Sequence, residues 1–192
     1  DRLRSRGLGD VYKRQIQKAL LSGGIDLAIA AYPKAPPSIE LADYYTEHTV
    51  LCLVDSLLVQ CQIDLDVRRN EIAAGDLHSL RDCPFVLGSA ADIGGRIGRE
   101  LLRASGISPI SKATSENVET LLALCVQGVG ACFCPENLLQ TALSPEQLAQ
   151  LHILPLCPSA SYPICFGYLR RSYPWSVLSE FIRIAREQIR SA

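Results

Sequence analysis

The chain has no methionine at all, not even at position 1. Without a start residue it is expected to be a fragment of a longer gene product. Tryptophan occurs once, and the three histidines, His48, His78 and His152, lie far apart and away from any cysteine partner. Charge of one sign is also lacking: 19 Lys and Arg against 20 Asp and Glu leave a net −1 at pH 7. That balance excludes the basic footprint needed to wrap a polyanion. No run approaches the ~20 apolar residues of a membrane span, and no long apolar stretch follows the basic start to form a secretory signal. What is present is ordinary for a globular chain: 48% apolar and 20% charged residues over 192 positions. This is too apolar for disorder and long enough for one sizeable core or two smaller ones.

Residues 1–15 stand apart, with five basic side chains (Arg2, Arg4, Arg6, Lys13, Arg14) against two acids. A solvated basic arm is one reading, and such an arm can touch DNA. A more specific one is that Asp10-Val11-Tyr12-Lys13-Arg14-Gln15 resembles the in-frame translation of a transposon end used in sequencing-library preparation. On that reading 1–15 is a non-native leader and is kept out of the fold argument.

From Ile16 short helices alternate with short apolar strands. Ile16, Ala19 and Leu20 form a helical stripe that stops at Gly23-Gly24. Ile25 to Ala30 is an almost continuous apolar run, the pattern of a strand buried on both faces of a parallel sheet. Pro33, Pro36 and Pro37 impose an extended loop. Thr49–Val54, Phe85–Leu87, Ala131–Cys134 and Ile164–Leu169 read as further strands, with Ile153-Leu154 extended. Helices are expected after Asp92, after the cap candidates Thr114, Ser115 and Asn117, after Ser144-Pro145, and from Ser176 with Leu178, Phe181, Ile182, Ala185 and Ile189 on one face. This is an α/β chain.

Chemistry-bearing patterns are missing. Cys132 and Cys134 have one residue between them, where structural zinc sites want two to four and a second pair elsewhere. Cys52, Cys125, Cys132 and Cys165 sit in apolar patterns, as small hydrophobes do in a reducing compartment. A redox role for Cys61 or Cys83 stays open. Gly88-Ser89-Ala90 lacks the second glycine of a nucleophile elbow. Gly94-Gly95-Arg96-Ile97-Gly98 lacks the lysine ending and the strand context of a phosphate loop, and reads as a glycine-softened helix entry. No catalytic residue, metal ligand or cofactor is expected, and the chain is read as not an enzyme.

The ordered motifs carry a resemblance. Leu21-Ser22-Gly23-Gly24-Ile25-Asp26-Leu27-Ala28-Ile29, the loop Pro36-Pro37-Ser38-Ile39-Glu40, and Glu47-His48-Thr49-Val50-Leu51-Cys52-Leu53-Val54 come first. Asp76-Leu77 with Pro84-Phe85-Val86-Leu87 follows, then Leu122, Val126, Gly128-Val129-Gly130 and Pro135-Glu136, then Tyr168 and Phe181-Ile182. Over about residues 16–188 this set resembles the effector-binding domain of LysR-type transcriptional regulators. The resemblance implies a two-lobed, periplasmic-binding-protein-like (type 2) α/β domain with two crossover strands. Lobe one is then 16–54 plus 156–190 and lobe two 55–155, with the first strand and helix of lobe one missing. It also implies a small, anionic effector in the interlobe cleft, a cytoplasmic homo-oligomer (dimer or tetramer), and DNA binding only through a helix-turn-helix domain absent from this chain. Two alternatives stand beside it: an extracytoplasmic solute receptor, and an enzyme on the same fold.

In such folds ligands meet strand ends and helix N-termini, where free N–H groups and the dipole favour an anion. Three places qualify. Ala31 and Tyr32 follow the first strand, and Tyr32 either contacts an effector or packs on the neighbouring prolines. Ser89 and Ala90, with Ala91, precede the next helix and either bind or cap. Thr114 and Ser115 precede the following one. Capping alone explains Ser115, and Glu116 is expected to face solvent.

Overall fold

In a computed structural model, the structure describes residues 8–32, 37–90, 92–170 and 176–191; Pro33, Pro36, Ala91 and residues 1–7 lie outside these. The chain divides into two compact units, Asp1–Glu47 with Tyr162–Ala192, and His48–Ser161.

Unit 1 opens with α1 (Leu8–Leu21), which begins inside the basic stretch and stops where Gly23 takes φ +72°. Next come β1 (Leu27–Ala30) and the first part of the long β2 (Ile39–Val54), and after unit 2 the last strand β7 (Ser161–Leu169) and α8 (Ser176–Ser191). β1 pairs with β7, which neighbours β2. The expectation of a parallel strand buried on both faces is corrected here: β1 runs antiparallel to β7, from Leu27 opposite Tyr168 to Ala30 opposite Cys165. It lies at the end of the strand order, and Ile29 is 49% exposed. An apolar run alone does not report which elements cover it. Phe166, fully buried on β7, packs against Tyr44 with ring centroids 4.4 Å apart. The Arg186 guanidinium of α8 donates to the Asp43 carbonyl at 2.7 Å.

Unit 2 contains the C-terminal half of β2, then α2 (Asp55–Cys61), α3 (Leu65–Ala73), β3 (Pro84–Gly88), α4 (Ile93–Ala104), β4 (Ile110–Ser115), α5 (Val118–Val126), β5 (Cys132–Pro135), α6 (Leu139–Ala142), α7 (Pro145–Leu148) and β6 (Leu151–Pro155). β3 and β4 are parallel, ending with Gly88 beside Ser115. Phe85 bridges to Ala131, which carries β5 alongside β3 in the same direction. β2 runs antiparallel to both β5 and β6. Its alternation splits the core: Leu51 and Leu53 enter one apolar cluster, Val50 and Cys52 the other. The stacked rings of Phe85 and Phe133 lie inside the first.

The glycines read as a softened helix entry have a packing role. A side chain at Gly95 would collide with the Ser89 carbonyl oxygen and come within 2.8 Å of the Gly88 backbone, and one at Gly98 would strike the Phe133 ring. Glycine thereby lets the start of α4 lie directly on the end of β3.

Candidate functional site

Parallel β3 and β4 end at the same level, and β5 ends beside β3, so their C-terminal ends form one edge of unit 2. Gly88 and Ser115 lie on that edge, and Pro135 closes β5 opposite Thr49 of β2. The edge therefore gathers Thr49, Ser89, Ala90, Thr114 and Ser115 together with the first turns of α4 and α5. Four of these were expected from sequence. Thr49 was missed, because it reads as the first residue of a strand. The signal that was available is a hydroxyl heading an otherwise apolar run.

The polar groups of the edge are partly committed to holding it in shape. Asp92 caps α4 by accepting from the Gly95 amide at 3.3 Å. Asn117, not Ser115, caps α5, its Oδ1 accepting from the Thr120 amide at 2.9 Å. The Ser115 hydroxyl accepts from the Asn117 amide at 3.1 Å, so this residue ends β4 and positions the cap. Thr114 lies on β4 and is exposed, which corrects the cap reading of both residues. Side-chain caps satisfy only part of a helix's first turn, and the remaining donors are left for water or a ligand. Ser89 is half-buried and Ala90 exposed.

Two further groups give the edge its electrostatic character. The Arg99 guanidinium donates to the Gly88 carbonyl at 2.7 Å, fixing a permanent cation beside the end of β3. The Thr49 hydroxyl is buried and has no hydrogen-bond partner among the described residues. A buried hydroxyl left unpaired costs about 1–3 kcal/mol. One acid belongs to the edge, Asp92 in its cap at the start of α4, and Glu116 is exposed, as expected. With Glu119 it lines an open groove of about 290 Å³ between the first turn of α5 and the segment Leu138–Ala142. Two carboxylates make that groove a poor place for an anion.

In unit 1, Ala31 and Tyr32 follow β1 as expected, both half-buried. Tyr32 lies against Gly167 of β7, where a side chain would overlap the phenol ring. Its hydroxyl is buried and has no hydrogen-bond partner among the described residues. Burial, and secondarily the Cys165 thiol, raise its pKa above the ordinary tyrosine range. Among the described residues no group of His, Cys, Asp and Glu is placed to hold a metal ion. No described helix is long and apolar enough to cross a membrane.

This arrangement of parallel strand ends and capped helix starts is the setting in which α/β proteins bind small ligands. The chain's sequence matches the LysR substrate binding domain over residues 11–190, and the chain belongs to that family, one of transcription regulators rather than enzymes. No curated protein sequence matches it. Among solved structures it is similar to the effector-binding domain of QuiR in complex with shikimate, at 17% identity and TM-score 0.63, covering 91% of this chain and 77% of that one. The regulatory domain of Synechocystis CcmR in complex with 2-PG gives 12% identity and TM-score 0.66, over 91% of this chain and 78% of that one. HinK from Pseudomonas aeruginosa gives 17% identity and TM-score 0.69, over 91% of this chain. These likenesses establish the type 2 periplasmic-binding-protein-like fold. The chain spans 57% of HinK and 56% of CbnR, another LysR family regulator.

Proposed function

We propose that this chain is the effector-sensing domain of a cytoplasmic LysR-type transcription regulator, a homo-oligomer (dimer or tetramer) that reaches DNA through a helix-turn-helix domain outside this sequence. The two compact units are its two lobes. The effector is a small anion. Ser89, Ala90, Thr114 and Ser115, with Thr49, contact it in unit 2, and Ala31 and Tyr32 are carried in the same proposal from unit 1.

The observation that carries this reading is the strand-end edge of unit 2. Two helix starts and the Arg99 guanidinium favour a negative charge there, and the Thr49 hydroxyl is buried without a partner. A ligand oxygen would supply that partner. QuiR with shikimate and CcmR with 2-PG support the small-metabolite class. Binding shifts a population of conformations rather than driving chemistry, and the DNA-binding domain reads that shift.

Thermal unfolding of the chain with a panel of small carboxylates and phosphate esters, shikimate among them, tests this. At least one compound should raise the melting temperature in a concentration-dependent way, and Ser115→Ala or Thr49→Val should diminish the rise. A panel without any effect, or a rise untouched by both variants, contradicts the assignment.

A further inference from the structure

Cys61 ends α2 and Cys83 immediately precedes β3, and the fold of unit 2 brings these two together. The Cys61 Sγ lies 3.8 Å from the carbonyl oxygen of Asp82, the residue before Cys83. The Cys83 Sγ lies 3.5 Å from the Pro84 carbonyl, so both sulfurs sit against the same short stretch of backbone, Asp82–Pro84. Packing fixes this approach from both sides: Cys83 belongs to the apolar cluster of Leu57, Ile63 and Phe85, and Cys61 packs against the same cluster. Gln62, directly after Cys61, holds the one positive φ of a non-glycine among the described residues, 54°, and terminates α2 there.

The remaining thiols are situated differently. Cys52, Cys125, Cys132 and Cys134 are fully buried, beyond the reach of a dissolved reagent, and Cys165, also buried, lies 3.6 Å from the Asp43 carboxylate. Cys157 is half-buried, and its sulfur lies 3.1 Å from a hydroxyl, Ser159 Oγ. Cys61 with Cys83 combines a thiol that a reagent can reach with a second thiol placed behind it.

We propose that Cys61 and Cys83 form a reversible disulfide, a thiol-oxidation site joining the end of α2 to the root of β3. The oxidant class is a low-molecular-weight disulfide. The Cys61 thiolate attacks one sulfur of that disulfide, forming a mixed disulfide and expelling the other half as a thiolate. Cys83 then passes its proton to that departing thiolate and attacks the Cys61 sulfur, releasing the second small half as a thiolate that is protonated by solvent. Two protein thiols are oxidised by two electrons, and one small disulfide is reduced to two thiols. Burial, and then Cys61 itself, hold the Cys83 thiol above its ordinary pKa range, so the exchange starts at the half-buried Cys61 rather than at the fully buried Cys83. The product ties down the start of β3, the strand that ends at Gly88 and leads into Ser89. The proposal stands independently of effector binding.

The test uses the chain itself, fully reduced and then incubated with glutathione disulfide. Free thiols are alkylated, the protein is digested with trypsin without reduction, and the peptides are mapped by mass spectrometry. Cleavage after Arg68 and Arg81 separates the two cysteines, and fragmentation of the linked pair distinguishes Cys61 from Cys52, which shares its peptide. The expected result is a linked Cys61–Cys83 peptide pair that is absent before treatment, becomes the main form of both peptides after it, and disappears with dithiothreitol. Cys61→Ser, a change at an accessible position, should abolish the link and leave Cys83 reduced. A stable glutathione adduct on Cys61 beside a free Cys83, a link to any other cysteine, or no reaction at either residue overturns the proposal. The mapping of the unsubstituted chain decides it even where a variant fails to fold.

Discussion

The two units bury apolar residues to different degrees. Unit 2 holds two large apolar clusters on the opposite faces of β2, whereas the cluster formed by described residues of unit 1 is Leu20, Ala28 and Ile39. Large apolar side chains are exposed in both units, Val59, Val67, Ile110 and Leu138 in unit 2, but the smaller unit 1 has more of them, among them Ile29 at 49%, Val177 at 67%, Phe181 at 49% and Ile184 at 43% exposure. The sequence is about equally apolar in both. The difference lies in what covers each element. In unit 2 each of β3 and β5 carries a packed helix, so an apolar stripe finds its counterpart within the unit. The free edge of β1 and the outer face of α8 have no such counterpart among the described residues.

The most direct way to break this comparison is to truncate matched aromatics. Phe85→Ala removes a fully buried ring stacked on Phe133 and should cost about 3–5 kcal/mol in urea unfolding. Phe181→Ala, at a half-exposed position, should cost about 1 kcal/mol or less. Similar losses at the two sites would mean that unit 1 depends on its surface apolar residues as heavily as unit 2 depends on its core. Asn117→Ala removes the α5 cap and should cost about 1 kcal/mol, seen as a lower urea midpoint at unchanged slope. Thr49→Val should act in the opposite direction. Replacing an unpaired buried hydroxyl with a methyl is neutral or stabilising by up to about 1 kcal/mol, while affinity for an anion that raises the melting temperature falls. Ile184→Lys, on the exposed face of α8, should change stability by no more than about 0.5 kcal/mol.

Local residue patterns placed the parts of the fold that depend on near neighbours. The stop after α1 at Gly23, the Asp92 cap and the capping box of Ser144 with Gln147 all appear where their residue types placed them. Features set by distant contacts were less legible. β4 carries Lys112 and exposed residues and has little apolar pattern of its own, so only its parallel pairing with β3 reveals it as a strand. α2 and α3 passed unnoticed because α3 is polar along most of its length. On α8 the expected apolar face is split: Ile182 is buried, but Phe181 and Ile189 are exposed. At the site, the positions of Ser89 and Ser115 were legible as polar residues at strand-to-helix transitions. The division of labour between Ser115 and Asn117, and the orphaned Thr49 hydroxyl, required the register of β2 with β5.

The central claim is that the C-terminal edge of β3 and β4 in unit 2 receives a small anion. Amide chemical shifts of the isotopically labelled chain, followed during titration with the compound from the carboxylate and phosphate panel that most raises the melting temperature, test it most directly. The account predicts saturable shifts concentrated at Ser89–Gly95, Ser115–Thr120 and Thr49. Shifts confined to the acidic groove beside Leu138, or spread without a centre, would contradict it.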